Sequence, residues 1–148
     1  MKIQALLYIV TAFMMGMTMS IYLPMNSSVS RHLGSSITAN VTFFLVALVT
    51  SVAILLLFGD LGSVSKINKV PIYLYLTGFI SAIIILGTTF LIPHLGARKF
   101  FILLIAGQIG MAIIVSHFGM LESPPDPVNL KKIIGALLVV AGVIISVG

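Results

Sequence analysis

Only a few side chains in this sequence could carry proton transfer, metal ligation or strong hydrogen bonding. The acids are Asp60, Glu122 and Asp126, and all three fall in polar connections between long apolar blocks. Proton- and cation-coupled carriers usually keep an ionisable group inside the membrane, in spite of its cost. No carboxylate here can take that part unless Asp60 dips inward from a helix end. A simple proton or cation antiporter is therefore disfavoured, and a neutral or anionic substrate gains ground.

The amides and the imidazoles come next. Gln108 lies in the middle of an apolar block, within Ile-Ala-Gly-Gln-Ile-Gly, where an amide must find a partner. That partner is either a neighbouring helix, which makes Gln108 a packing residue, or a solute in a cavity. Asn40 is placed about one turn inside the second block, in Ser-Ser-Ile-Thr-Ala-Asn-Val-Thr. His117, in Val-Ser-His-Phe-Gly, sits near a block end, the usual place for an interfacial histidine; an imidazole there is also able to titrate near neutral pH. Met15 and Met19 are spaced i,i+4, with Tyr22 one turn further along the same face. Methionine suits the lining of a promiscuous cavity, and equally suits plain packing or lipid contact.

Catalysis finds no support. The sequence has no cysteine, which excludes disulfides, thiolate chemistry and Cys-based metal sites. His32, His94 and His117 show no metal-ligand clustering, so no metal and no cofactor is expected. Ser116 and His117 are adjacent, and successive helical residues point about 100° apart, which makes a poor nucleophile–base pair. An enzyme is not expected.

The elements that must position these residues follow from composition. Of 148 residues 59% are hydrophobic and 7% charged, far below the roughly 25% charge that covers a water-facing surface. Most of the surface must face lipid. The net charge of +5 is scattered between apolar blocks rather than gathered into a basic stripe, so nucleic acid is not an expected partner and lipid headgroups are. Five blocks approach the ~20 residues that cross ~30 Å of hydrocarbon: 3–23, 36–58, 71–92, 100–117 and 133–147. They lack the period-2 alternation and the ~10-residue length of barrel strands. The expected fold is all-α, a polytopic bundle of five transmembrane helices forming a single domain over 1–148. The first apolar run is longer than the roughly 7–15 residues of a signal peptide and has no small-residue cleavage site after it, so it reads as a retained helix.

The connections hold the polar punctuation. The first, entered through Pro24, is Asn-Ser-Ser-Val-Ser-Arg-His-Leu-Gly-Ser. The fourth, Glu-Ser-Pro-Pro-Asp-Pro, cannot be helical. With five spans, Lys2, Lys66, Lys69, Lys131 and Lys132 share one side, and Arg31, Arg98 and Lys99 the other. That bias places the N-terminus in the cytoplasm, and its small size is compatible with insertion in both orientations. Small residues at Gly107 and Gly110, and at Gly135-Ala136 and Ala141-Gly142, allow close helix approach.

An ordered set of short motifs carries a resemblance. Pro24-Met25-Asn26, Leu33-Gly34-Ser35, Pro93-His94-Leu95-Gly96-Ala97, Gly107-Gln108, His117-Phe118-Gly119 and Gly135 followed by Gly142-Val143 resemble the YdcZ-like five-helix proteins of the drug/metabolite transporter superfamily. The set spans nearly the whole chain. The resemblance implies an inner-membrane small-molecule transporter that is half of a ten-helix inverted-repeat carrier, with its substrate between the halves. A single five-helix chain then needs a partner, most simply a second copy in a homodimer, antiparallel in orientation. Carried over by position, Asn26 and Gln108 are the polar residues near the pathway. Three positions depart from the family pattern: Ser116 stands where relatives often have an acid, and Ala47 and Ser81 stand where glycines are common. The missing acid bears against proton coupling, in the same direction as the acid census. The rival expectation is a non-transporting assembly or lipid-handling subunit. A water-accessible polar cavity reaching Gln108 would favour transport, and a lipid-exposed groove on a solid bundle would favour the rival.

Overall fold

The computed structural model describes residues 2–147, and among these the chain forms five α-helices joined by turns and short 3-10 segments. They are α1 (Lys2–Leu33), α2 (Ser36–Phe58), α3 (Leu76–Leu95), α4 (Ala97–Phe118) and α5 (Leu130–Val147). Four apolar helical segments are long enough to cross a membrane: Ile3–Leu33, Ser36–Phe58, Ile72–Leu95 and Ala97–Phe118. The chain divides into two compact units, Met1–His94 and Leu95–Gly148.

In the first unit the expected end of the first helix is corrected. The helix does not stop at 23. It passes through Pro24 and continues to Leu33, giving 32 residues and a length of about 48 Å. Pro24 lacks an N–H, so the carbonyl of Ser20 loses its usual donor, but the following turns stay helical. In those turns Asn26 and Ser30 have side-chain partners inside the unit, as described below. The connection to α2 shrinks to Gly34 and Ser35. Gly34 adopts φ +68°, the left-handed conformation that costs glycine little. Ser35 then serves both helices: its N–H donates to the Ser30 carbonyl at 3.2 Å, and its hydroxyl accepts from the Thr38 N–H at 3.2 Å. The first bond closes α1 as a Schellman motif and the second caps α2. So short a link makes α1 and α2 an antiparallel hairpin.

From α2 the chain turns at Asp60, whose carboxylate accepts from the Gly62 N–H at 2.9 Å. A 3-10 stretch over Leu61–Lys69 and another over Ile72–Tyr75 lead into α3. The third helix therefore begins later than the expected 71 as an α-helix, with Pro71 at the entry where its missing N–H costs little.

In the second unit, α4 ends at Gly119, again left-handed at φ +59°. A short 3-10 turn and the proline-rich stretch follow without α-helix, as the sequence requires. Asn129 caps α5 by accepting from the Lys132 N–H at 3.0 Å, so this helix starts at Leu130 rather than 133. The Arg98 guanidinium at the start of α4 donates to the Ser146 carbonyl at 2.9 Å near the end of α5, which holds the two helices antiparallel. Lys132 pairs with Asp126 and donates to the Pro127 carbonyl at 2.7 Å, tying the connection to the helix start.

Candidate functional site

The exterior of the first unit is apolar and its interior is polar. Among its described residues, five of the eight buried ones are Asn26, Ser27, Ser30, Thr88 and Thr89; the apolar three are Leu23, Ala39 and Ile92. A soluble domain shows the reverse balance. In hydrocarbon the apolar side chains gain nothing by hiding, whereas each polar group needs a partner.

A side-chain hydrogen bond joins α1 to α3. The Asn26 side-chain amide donates to the Thr89 hydroxyl at 2.7 Å, and the Thr89 hydroxyl donates to the Ile85 carbonyl at 2.7 Å. Because the Thr89 proton is committed to Ile85, its oxygen must accept. That fixes the orientation of the Asn26 carboxamide, with its nitrogen toward Thr89. Ser30 and Ser36 share a hydroxyl–hydroxyl bond at 2.9 Å across the α1–α2 link. Two buried polar atoms, the Ser27 hydroxyl and the Asn40 carbonyl oxygen, have no partner among the described residues.

Beside this polar interior lies an open cleft of about 510 Å³. Tyr22, Met25, Asn26 and Val29 supply the α1 wall; these positions recur at i, i+3, i+4 and i+7, one face of a helix. Thr42, Phe43, Val46 and Ala47, at i, i+1, i+4 and i+5, supply the α2 wall. The Tyr22 and Phe43 rings stack across the hairpin with centroids 6.2 Å apart and an interplanar angle of 21°. Asn26 is thus both a wall of the cleft and the tie to α3. The cleft is in the size range of small-molecule sites.

The residues singled out from sequence are distributed unevenly. Asn26 and Tyr22 line the cleft. Met15 and Met19 lie on α1 toward its N-terminus and are not among the cleft residues; Met15 is exposed and Met19 half-buried. Asn40 is half-buried on α2, outside the cleft lining, with its orphan carbonyl oxygen. Gln108 belongs to the second unit and is exposed on α4. His117, exposed at the end of α4, accepts at Nδ1 from the Val128 N–H at 3.1 Å, which makes it an anchor for the connection to α5. Sequence reasoning missed Ser27, Thr88 and Thr89. Threonine inside an apolar block gives little signal, because its hydroxyl can return to a carbonyl of its own helix, as Thr88 does to Ile85 at 2.8 Å.

No group of three or more His, Cys, Asp or Glu able to hold a metal ion occurs among the described residues. A protein family described as "Putative inner membrane exporter, YdcZ" matches the chain over residues 7–145. No curated protein and no solved structure matches it.

Proposed function

The chain belongs to the YdcZ family of inner-membrane exporters, and on that premise we propose that it exports small solutes through the cleft between α1 and α2. With four helices of membrane length, it is a multi-pass protein of the inner membrane, with membrane transport as its general role. The observation that carries the finer reading is Asn26, a buried amide oriented by Thr89 and placed in the wall of a largely apolar cleft. Such a group fixes the pose of a solute that apolar walls alone would hold loosely.

In this reading α5 is the fifth span. At 18 residues it is about 27 Å long, slightly less than the hydrocarbon thickness, so it stands upright or the bilayer thins around it. The single domain is half of an inverted-repeat carrier, and a second copy, antiparallel to the first, completes it. The N-terminus lies in the cytoplasm in the orientation that the lysine and arginine bias favours. Gln108, exposed in one chain, would find its partner in the other copy, since an amide at mid-membrane does not stay unpaired. Asn40, Met15, Met19 and His117 are kept as lower-ranked positions along or beside the pathway.

The test is efflux from loaded cells or proteoliposomes. Asn26→Ala lowers efflux at least about tenfold at unchanged protein level, the loss of one oriented hydrogen bond at about 1.4 kcal/mol. Unchanged efflux removes the cleft from the pathway. A second reading, lipid handling, draws on the openness and apolar lining of the same cleft. It requires binding of acyl chains and no efflux of small solutes.

A further inference from the structure

We infer that the cleft selects an uncharged, flat aromatic solute bearing one hydrogen-bond donor. This rests on the cleft being the transport site. Three observations define the solute. First, none of the lining residues carries a carboxylate, ammonium, guanidinium or imidazole group. A charged solute entering there gives up its hydration with no counter-charge to replace it. Second, Tyr22 and Phe43 present stacked rings at the wall, and a planar ring extends such a stack in the offset geometry that aromatic pairs favour. Third, one of the two N–H groups of the Asn26 amide goes to Thr89, and its carboxamide oxygen accepts no hydrogen bond among the described residues, so Asn26 offers a solute that oxygen as an acceptor, with the second N–H beside it. The matching group on the solute is a phenolic O–H, an indole-type N–H or an amide N–H.

Ala47 sets the room available. It lines the cleft half-buried, opposite the α1 wall, so a larger side chain there fills the space a ring would occupy.

The experiment uses the full chain in detergent and equilibrium dialysis with three probes of one shape: naphthol, naphthoate and naphthylmethylammonium. Naphthol binds saturably, and about a hundredfold tighter than either ion, the factor set by the cost of a charge in a membrane interior. Ala47→Leu abolishes naphthol binding, and Phe43→Leu weakens it about three- to tenfold through the lost ring contact. Phe43→Leu also covers the case in which Ala47→Leu does not fold. Ions that bind as tightly as naphthol overturn the inference. So does displacement of naphthol by decanol at equal concentration, which would mark an acyl-chain groove. Naphthol binding unaffected by both variants overturns it too, by locating the probe elsewhere. These outcomes are separate from the export reading: equal binding of ions by a chain that exports in an Asn26-dependent way sinks only the selectivity, whereas selective naphthol binding by a chain that exports nothing sinks export.

Discussion

The hydrogen bond between Asn26 and Thr89 is the joint on which the cleft wall depends, and a double-mutant cycle isolates it. Both residues are buried, at 7% and 1% exposure, and the bond is 2.7 Å long. Bonds between membrane helices average about 0.6 kcal/mol and reach about 1.7. This one belongs near the upper end, because the Thr89 hydroxyl is already held by Ile85 and pays little further ordering on accepting from Asn26. Asn26→Ala, Thr89→Val and the pair together should therefore give a coupling energy of about 1–1.5 kcal/mol. Thr89→Ser keeps the hydroxyl and should keep most of the coupling. The assay is unfolding in mixed micelles, followed by helical circular dichroism. Single variants that simply add, within about 0.3 kcal/mol, would refute the reasoning and leave the two residues as independent packing groups.

Three further outcomes are expected. Gln108→Ala lowers both the dimer fraction, read by crosslinking in membranes, and efflux, at unchanged expression; persistence of both makes Gln108 a lipid-facing or packing residue. His117→Ala removes the acceptor for the Val128 N–H and loosens the connection to α5, visible as faster proteolysis near residues 123–129, at a cost of about 1 kcal/mol. The pH profile of efflux stays where it was, and a displaced profile would give His117 a proton-handling role. Compartment reporters fused to either terminus give signal from both sides of the membrane, in keeping with the five-to-three charge balance; signal from one side alone rejects dual insertion.

The apolar blocks made the helices legible, because in lipid the backbone has no alternative to satisfying itself within the helix. The end of α1 was not legible. The run from Asn26 to Ser30 has the composition of a loop, yet Asn26 and Ser30 within it are buried partners of α3 and α2, which keeps these turns helical. The signal that could have corrected this is local: Leu33-Gly34-Ser35 is a glycine stop followed at once by a serine cap. A two-residue link also sets the register that brings Tyr22 opposite Phe43 and so makes the cleft. Without that register, Met15 and Met19 shared a face with Tyr22 and looked equivalent to it. Asn26 came into view only through the family resemblance, and Thr89 not at all, since its importance lies in what faces it and not in its own type.

Because the sequence contains no cysteine, one thiol placed by mutation reports on one position alone. Export through the α1–α2 cleft requires that solutes reach it from water. Val46→Cys puts a thiol in the cleft wall, and Ile54→Cys puts one at a comparably exposed position of the same helix outside the cleft, two turns on. In membrane vesicles a water-soluble maleimide should label Val46→Cys readily and Ile54→Cys hardly at all, and an exported solute should protect Val46→Cys. Equal resistance of both positions to the water-soluble reagent, with both open to a lipid-soluble one, would contradict the claim and assign the cleft to lipid.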